Sequence, residues 1–83
     1  MPGLILYGKT DCHLCDEAAS ILASLAREIS FDWRRVDIES EPELFERFRY
    51  EIPVIQIEGG AELKWPTTRE RVRRALAEVG AGA

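Results

Sequence analysis

The stretch Leu4-Ile5-Leu6-Tyr7-Gly8-Lys9-Thr10-Asp11-Cys12-His13-Leu14-Cys15-Asp16 decides the reading of this chain. It joins a short apolar run to the start of a helical pattern, and it carries both of the chain's cysteines. Leu4 to Tyr7 has the length and composition of a buried strand, which Gly8 ends. From about Cys12 to Glu28 the residues Leu14, Ala18, Ile21, Leu22, Leu25 and Ile29 fall on one face of a helical period. Thr10 or Asp11 can cap that helix, and Asp16 and Glu17 sit in its first turn, where acids are favoured. A dithiol at this point faces unpaired backbone N–H groups and the positive end of the helix dipole. Both favour the thiolate, the reactive form of cysteine. Sulfurs one turn apart can also close a disulfide by local adjustment, so the spacing points to redox chemistry.

Working outward, Phe31 to Ile38 reads as a second strand. Phe31 and Trp33 share one parity and Val36 and Ile38 the other, so the strand is buried on both faces at one end or carries a bulge. Ser40-Glu41-Pro42-Glu43 starts a short helix with Ser40 at the N-cap, burying Leu44, Phe45 and Phe48. Pro53 to Ile57 is a third strand with proline at its first position, where a missing N–H does least harm. Glu58-Gly59-Gly60-Ala61 is a tight turn, and Glu62 to Trp65 returns as an antiparallel fourth strand. Thr67-Thr68-Arg69-Glu70 looks like a capping box for a last helix. That helix runs to about Val79, buries Val72, Ala75, Leu76 and Val79, and stops at Gly80. The order β-α-β-α-β-β-α implies an α/β fold with parallel crossovers and an antiparallel edge hairpin. One domain over residues 1–79 and a frayed tail at 80–83 are expected.

Composition narrows the function classes. With 83 residues and 46% apolar content the chain supports one small packed core. Leu4 to Leu6 is far too short to span a bilayer, which takes about 20 apolar residues. A net charge of −4 argues against non-specific binding to nucleic acid or anionic membrane. Two cysteines are too few for a disulfide-dense secreted scaffold, and a bridge between them closes too small a loop to staple a fold. A soluble, cytoplasmic monomer is the expectation.

Within the pair, Cys12 is the expected nucleophile because it lies nearest the free N–H groups. Cys15 shares a face with Ala19, Leu22 and Ala26 and is expected to be more buried, as the resolving thiol. Lys9 adds positive potential, while Asp11, Asp16 and Glu17 oppose it. A structural zinc site usually takes four protein ligands, and two cysteines with His13 fall short of that within one chain. Four thiolates shared by two chains, holding zinc or an iron–sulfur cluster, form a second reading. A non-catalytic binding module is a third. Arg69, Arg71, Arg73 and Arg74 read as the solvated side of the last helix, and Trp33 and Trp65 as packing residues, Trp65 alternatively rimming the groove.

Tyr7-Gly8-Lys9-Thr10-Asp11-Cys12-His13-Leu14-Cys15 resembles the active-site segment of glutaredoxins. Tyr50-Glu51-Ile52-Pro53-Val54 stands where thioredoxin-fold proteins carry a cis-proline loop facing the dithiol. The chain is most similar to small bacterial glutaredoxin-like proteins of poorly defined function. The resemblance implies a thioredoxin-like fold with a mixed four-stranded sheet flanked by helices, and a redox-active Cys12–Cys15 disulfide. It also implies a cis bond at Pro53, pairing of the Ile52 backbone with an extended thiol substrate, and Lys9 near a substrate carboxylate. No resident cofactor or metal is implied, only an external thiol reductant, glutathione or a thioredoxin system, and a protein or small-molecule disulfide as partner. Several positions depart from the glutaredoxin pattern. His13-Leu14 replaces Pro-Tyr, Glu51 puts an acid beside the groove, Gly59-Gly60 falls in the hairpin, and Lys64-Trp65-Pro66-Thr67-Thr68 lacks the usual acid. Glutathione binding of the usual kind is therefore not expected, with Glu51 repelling an anionic tripeptide modestly.

Overall fold

The computed structural model describes residues 2–80. Its elements are β1 (Gly3–Gly8), α1 (His13–Leu25), β2 (Asp32–Asp37), α2 (Pro42–Phe48), β3 (Val54–Ile57), β4 (Glu62–Leu63) and α3 (Arg69–Glu78). A 3₁₀ turn, Ile38–Ser40, links β2 to α2. The sheet order is β2-β1-β3-β4, giving the mixed four-stranded α/β architecture expected from the element order.

Strand direction corrects the expectation of successive parallel crossovers. β1 and β2 are parallel, from Gly3 opposite Asp32 to Gly8 opposite Asp37, whereas β3 runs antiparallel to β1. The reason lies in α2, which has only seven residues and rises about 10 Å, too little to carry the chain back along a strand. The hairpin β3–β4 is antiparallel as expected, turning at Gly59 with φ +74°, a left-handed conformation that glycine adopts without a Cβ clash. β4 is shorter than the sequence suggests. Beyond Leu63 the Lys64 carbonyl turns away to accept from the Arg71 guanidinium at 2.7 Å.

The sheet packs on both faces. Leu4, Leu6, Ile55 and Ile57 point to the side covered by α1 and α3, where Ala18, Leu22, Leu25, Val72 and Leu76 are buried against them. Tyr7 and Val54 point to the other side, where Phe48 of α2 and Ile38 complete a smaller cluster. This resolves β2. Its register with β1 is unbroken, so there is no bulge. Phe31 and Trp33 pack toward α1, and Ile38, just past the strand, packs toward α2.

Helix starts differ in detail from the sequence reading. Glu41, not Ser40, is the N-cap of α2 and makes no side-chain cap bond, and Pro42 takes the first helical position. The Ser40 hydroxyl instead donates to the Asp37 carbonyl at 2.6 Å. Thr68 caps α3 by accepting from the Arg71 N–H at 3.1 Å, which places Glu70 one residue short of a reciprocal capping box. Val79 is only half-buried, and Gly80 ends the helix with φ +87°. Of the expected frayed tail, residues 81–83 lie outside the described residues.

Of the α3 arginines, Arg73 and Arg74 are exposed as expected, whereas Arg69 and Arg71 are half-buried, and three of the four are engaged. Arg69 donates to the Ser24 hydroxyl at 2.6 Å and to Glu28, and Arg73 reaches Glu28 at 3.0 Å, so both tie α3 to α1 and the turn that follows it. Arg71 holds the loop before α3 through the carbonyls of Lys64 and Pro66.

Candidate active site

The site is built where β1 runs out. Gly8 ends the strand, and Lys9 to Asp11 turn the chain into α1. Asp11 takes a left-handed conformation with φ +57°, which a short polar side chain tolerates better than most. Neither Thr10 nor Asp11 caps the helix, because Cys12 itself is the N-cap. Its Sγ accepts the Cys15 N–H at 3.2 Å, and its carbonyl accepts the Asp16 N–H at 3.1 Å. The sulfur thus occupies the position that a Ser or Asp oxygen fills in an ordinary cap, where an anion is favoured.

Cys12 and Cys15 are joined by a disulfide, with their Cα atoms 5.2 Å apart. Their surroundings are unequal. Cys12 is half-buried, whereas Cys15 is 0% exposed and leads the buried row Cys15, Ala18, Leu22 and Leu25. That row corrects the place given to Leu14, which is 37% exposed. Cys15 takes the inward position, and Leu14 is left on the outer side between the sulfurs.

Gly8 is what lets Cys15 sit so deep. A Cβ on Gly8 would stand 2.9 Å from the Cys15 Sγ, closer than real Cβ contacts come, and 3.1 Å from its Cβ, which is also tight. The same point is 4.0 Å from Nε of Arg35. Arg35 is a site residue that the sequence reading does not single out. Its Nη1 donates to Asp16 Oδ1 at 3.0 Å and its Nη2 to the Lys9 carbonyl at 3.1 Å. One side chain thus ties the C-terminal part of β2 to the loop before α1 and to the first turn of α1. A signal is present in the sequence. Phe31, Trp33 and Arg35 share one parity, so the first two announce that the third also faces α1.

Of the remaining expected residues, Lys9 is exposed and lines an open cleft with Asp11, Asp16, Arg35 and Asp37. Pro53 is buried, and the Ile52–Pro53 bond is cis. The β1–β3 ladder ends where Tyr7 pairs with Val54, so Gly8, which follows Tyr7, and Pro53, which precedes Val54, lie at the same end of that ladder. Glu51 and Ile52 both donate their N–H groups to the Phe48 carbonyl, at 2.8 Å and 3.2 Å, so the end of α2 positions the proline segment.

Glu51 does not stand as a bare acid. Its carboxylate is 3.0 Å from Lys64 Nζ, so an opposite charge stands beside the acid. The pairing is invisible in sequence because the two residues meet only through the β3–β4 hairpin. Trp65 lies next to Lys64 and is 43% exposed, so it does not pack in the core as Trp33 does, and the Trp65–Pro66 bond is also cis. His13 is exposed, 3.7 Å from Glu17 on the next turn. Among the described residues no three His, Cys, Asp or Glu side chains are grouped to hold a metal ion, and no helix is long and apolar enough to cross a membrane.

A helix-capping disulfide that follows the first strand, with a buried cis-proline just before that strand's antiparallel neighbour, defines a thioredoxin-like protein with a disulfide site. The chain belongs to the family described as the glutaredoxin-like domain (DUF836), whose model matches residues 3–77. Among solved structures it is similar to a structural-genomics target protein of X. campestris. In the X-ray structure of that protein the match has 37% identity and a TM-score of 0.73, covering 86% of this chain and 91% of that one. The solution structure gives 31% identity and a TM-score of 0.73, with 96% and 97% covered. A protein of Nitrosomonas europaea shares the fold at 23% identity and a TM-score of 0.72, with 86% of each chain covered.

Proposed function

We propose that the protein is a thiol–disulfide oxidoreductase in which Cys12 attacks and Cys15 resolves. The observation that carries this reading is the inequality of the two sulfurs. One caps a helix at the surface, and the other is buried behind it within bonding distance. In the reductive direction the Cys12 thiolate attacks one sulfur of a substrate disulfide. The second substrate sulfur leaves as a thiolate and takes a proton from water. Cys15, as a thiolate, then attacks Cys12 Sγ, the mixed disulfide breaks, and the remaining substrate thiolate is released and protonated. Two electrons pass from the dithiol to the substrate, and two equivalents of an external thiol restore the dithiol.

The Ile52–Pro53 segment forms the wall of the groove. The Ile52 N–H is already taken by Phe48, so any pairing with an extended substrate falls to its carbonyl. Lys9 adds positive potential on the opposite side. The proposed substrate is a protein or small-molecule disulfide, met by a cytoplasmic monomer that needs no resident cofactor, only an external thiol reductant from a glutathione or thioredoxin system.

A Cys15→Ser variant tests this reading, because it removes the resolving thiol and stops the cycle at the mixed disulfide. We expect the variant to accumulate an adduct on Cys12 with a model disulfide, and Cys12→Ser to accumulate none. A wild-type protein whose dithiol and disulfide never interconvert with a thiol reductant would overturn the proposal.

A further inference from the structure

The resolving sulfur has a problem that the attacking sulfur does not. Cys12 lies at a helix N-terminus, where the thiolate is favoured, but Cys15 is 0% exposed, and burial in apolar surroundings favours the neutral thiol. Only the thiolate attacks, so the second half of the cycle needs something to offset that burial. Among the described residues no polar or charged residue is fully buried that could take the Cys15 proton. Arg35 is a cation that borders, with this sulfur, the space beside Gly8.

We propose that Arg35 is the positioning residue that holds the buried Cys15 sulfur ready as a thiolate for the resolving step. The inference rests on the oxidoreductase reading above. Its geometry is independent of that reading. The Cys15 Sγ and the Arg35 Nε flank the same point, 2.9 Å and 4.0 Å from where a Gly8 Cβ would stand. Both Nη groups are committed, to Asp16 and to the Lys9 carbonyl, so the guanidinium is fixed from the solvent side and its Nε edge turns inward. About a third of the side chain, 34%, is exposed.

The other charges near the sulfur make Arg35 the deciding group. Asp16 comes from α1 and partly neutralises the guanidinium that it holds. Lys9 and Asp11 come from the loop and oppose each other. Asp37 comes from the end of β2, but its carboxylate accepts the Glu39 N–H at 2.8 Å and is engaged in capping the 3₁₀ turn. His13 and Glu17 face each other on the outer side of α1.

The chemistry follows directly. In the mixed disulfide the Cys15 thiol gives its proton to water, and the thiolate formed beside Arg35 donates its electron pair to Cys12 Sγ. The bond from Cys12 to the substrate sulfur breaks, and that sulfur leaves with the pair. In the opposite direction an external thiolate attacks Cys12, and Cys15 leaves as the thiolate that Arg35 receives.

The test measures the Cys15 thiol by itself. In a Cys12→Ser background, thiolate absorbance is followed against pH with Arg35 intact, with Arg35→Met and with Arg35→Lys. We expect Arg35→Met to raise the Cys15 midpoint by about one unit, and Arg35→Lys, which keeps the charge, to recover most of that shift. With Cys12 present, single-turnover release of substrate from the mixed disulfide should slow about tenfold near neutral pH in Arg35→Met, in step with the lost thiolate. Attack by Cys12 should keep its rate. If Arg35 only ties the loop to β2, both variants lower the unfolding temperature and leave the Cys15 midpoint unmoved, which overturns the proposal. The titration needs no turnover. A shifted midpoint in a protein that never exchanges disulfides would sink the oxidoreductase reading and leave the role of Arg35 standing.

Discussion

Among the described residues, the face of the sheet under α1 and α3 holds a cluster of twelve buried residues, from Leu4 to Leu76, helix residues included, while the face under α2 holds one of three, Ile38, Phe48 and Val54. The thick face holds the dithiol, because Cys15 continues the inward row of α1. The thin face holds the proline segment, because Glu51 and Ile52 hang from the Phe48 carbonyl. Toward the far end of the thin face, away from α2, an open groove of about 360 Å³ runs along Ile5, Arg34 and Gln56. The difference teaches how the site divides its labour. Cys15 is fixed by deep packing, and the proline segment is fixed by one aromatic ring and two backbone hydrogen bonds.

Truncating the keystone of each face puts this contrast at risk. Phe48 is 1% exposed, stacks on Tyr7 at a ring separation of 4.6 Å and has few neighbours that can close behind it. Phe48→Ala is expected to cost about 3–5 kcal/mol in denaturant unfolding, a large share of the stability of a domain this small. Amide exchange at Glu51 and Ile52 should accelerate in the same variant, because their acceptor moves with the helix end. Leu22→Ala, in the thick core, is expected to cost about 2–3 kcal/mol, since more side chains can relax into the gap. A Leu22→Ala loss larger than that of Phe48→Ala would break the contrast.

Gly8 lies on the seam between the two faces, and its substitution is the next effect in size. A methyl there would meet the Cys15 Sγ at 2.9 Å. Gly8→Ala is expected to cost about 1–3 kcal/mol by overpacking and to displace the sulfur that it meets. Comparing oxidised and reduced protein sharpens the point. If Cys15 is the obstacle, Gly8→Ala with Cys15→Ala together should recover most of the loss of Gly8→Ala alone.

The same contrast explains which parts of the fold are legible in the sequence. Thick-face elements are long and periodic, so the spacing of Ala18, Leu22 and Leu25 announces α1, and Val72, Ala75 and Leu76 announce α3. Even there, apolar character points Leu14 inward although it is 37% exposed, while Cys15, expected to be the more buried sulfur, takes the inward position at 0%. Arg35 escapes notice for the converse reason. A charge in the inward row of β2 breaks the apolar pattern by which strand faces are read, and its partners lie 19 and 26 residues away. The direction of β3 is not legible, because periodicity gives strand existence but no orientation. The Glu51–Lys64 pair depends on hairpin geometry and leaves no local trace.

That pair is the smallest effect predicted, and the one that bears most directly on substrate. Both side chains are well exposed, so the pair is worth less than about 1 kcal/mol of stability, and Glu51→Gln should unfold close to the wild-type midpoint. Its consequence is local charge. Glu51 cancels Lys64 beside the proline segment, so an approaching anion meets neither strong repulsion nor attraction. Glu51→Gln leaves Lys64 uncancelled, and should raise the rate with an anionic disulfide such as oxidised glutathione relative to a neutral one at low ionic strength. Lys64→Met should lower the same ratio, the double variant should restore it, and about 1 M salt should abolish all three differences, because the Debye length then shrinks to about 3 Å. Equal changes for neutral and anionic disulfides would show that the pair acts on the shape of the groove instead, and would extend the dependence of the wall on few contacts from Phe48 to its outer rim.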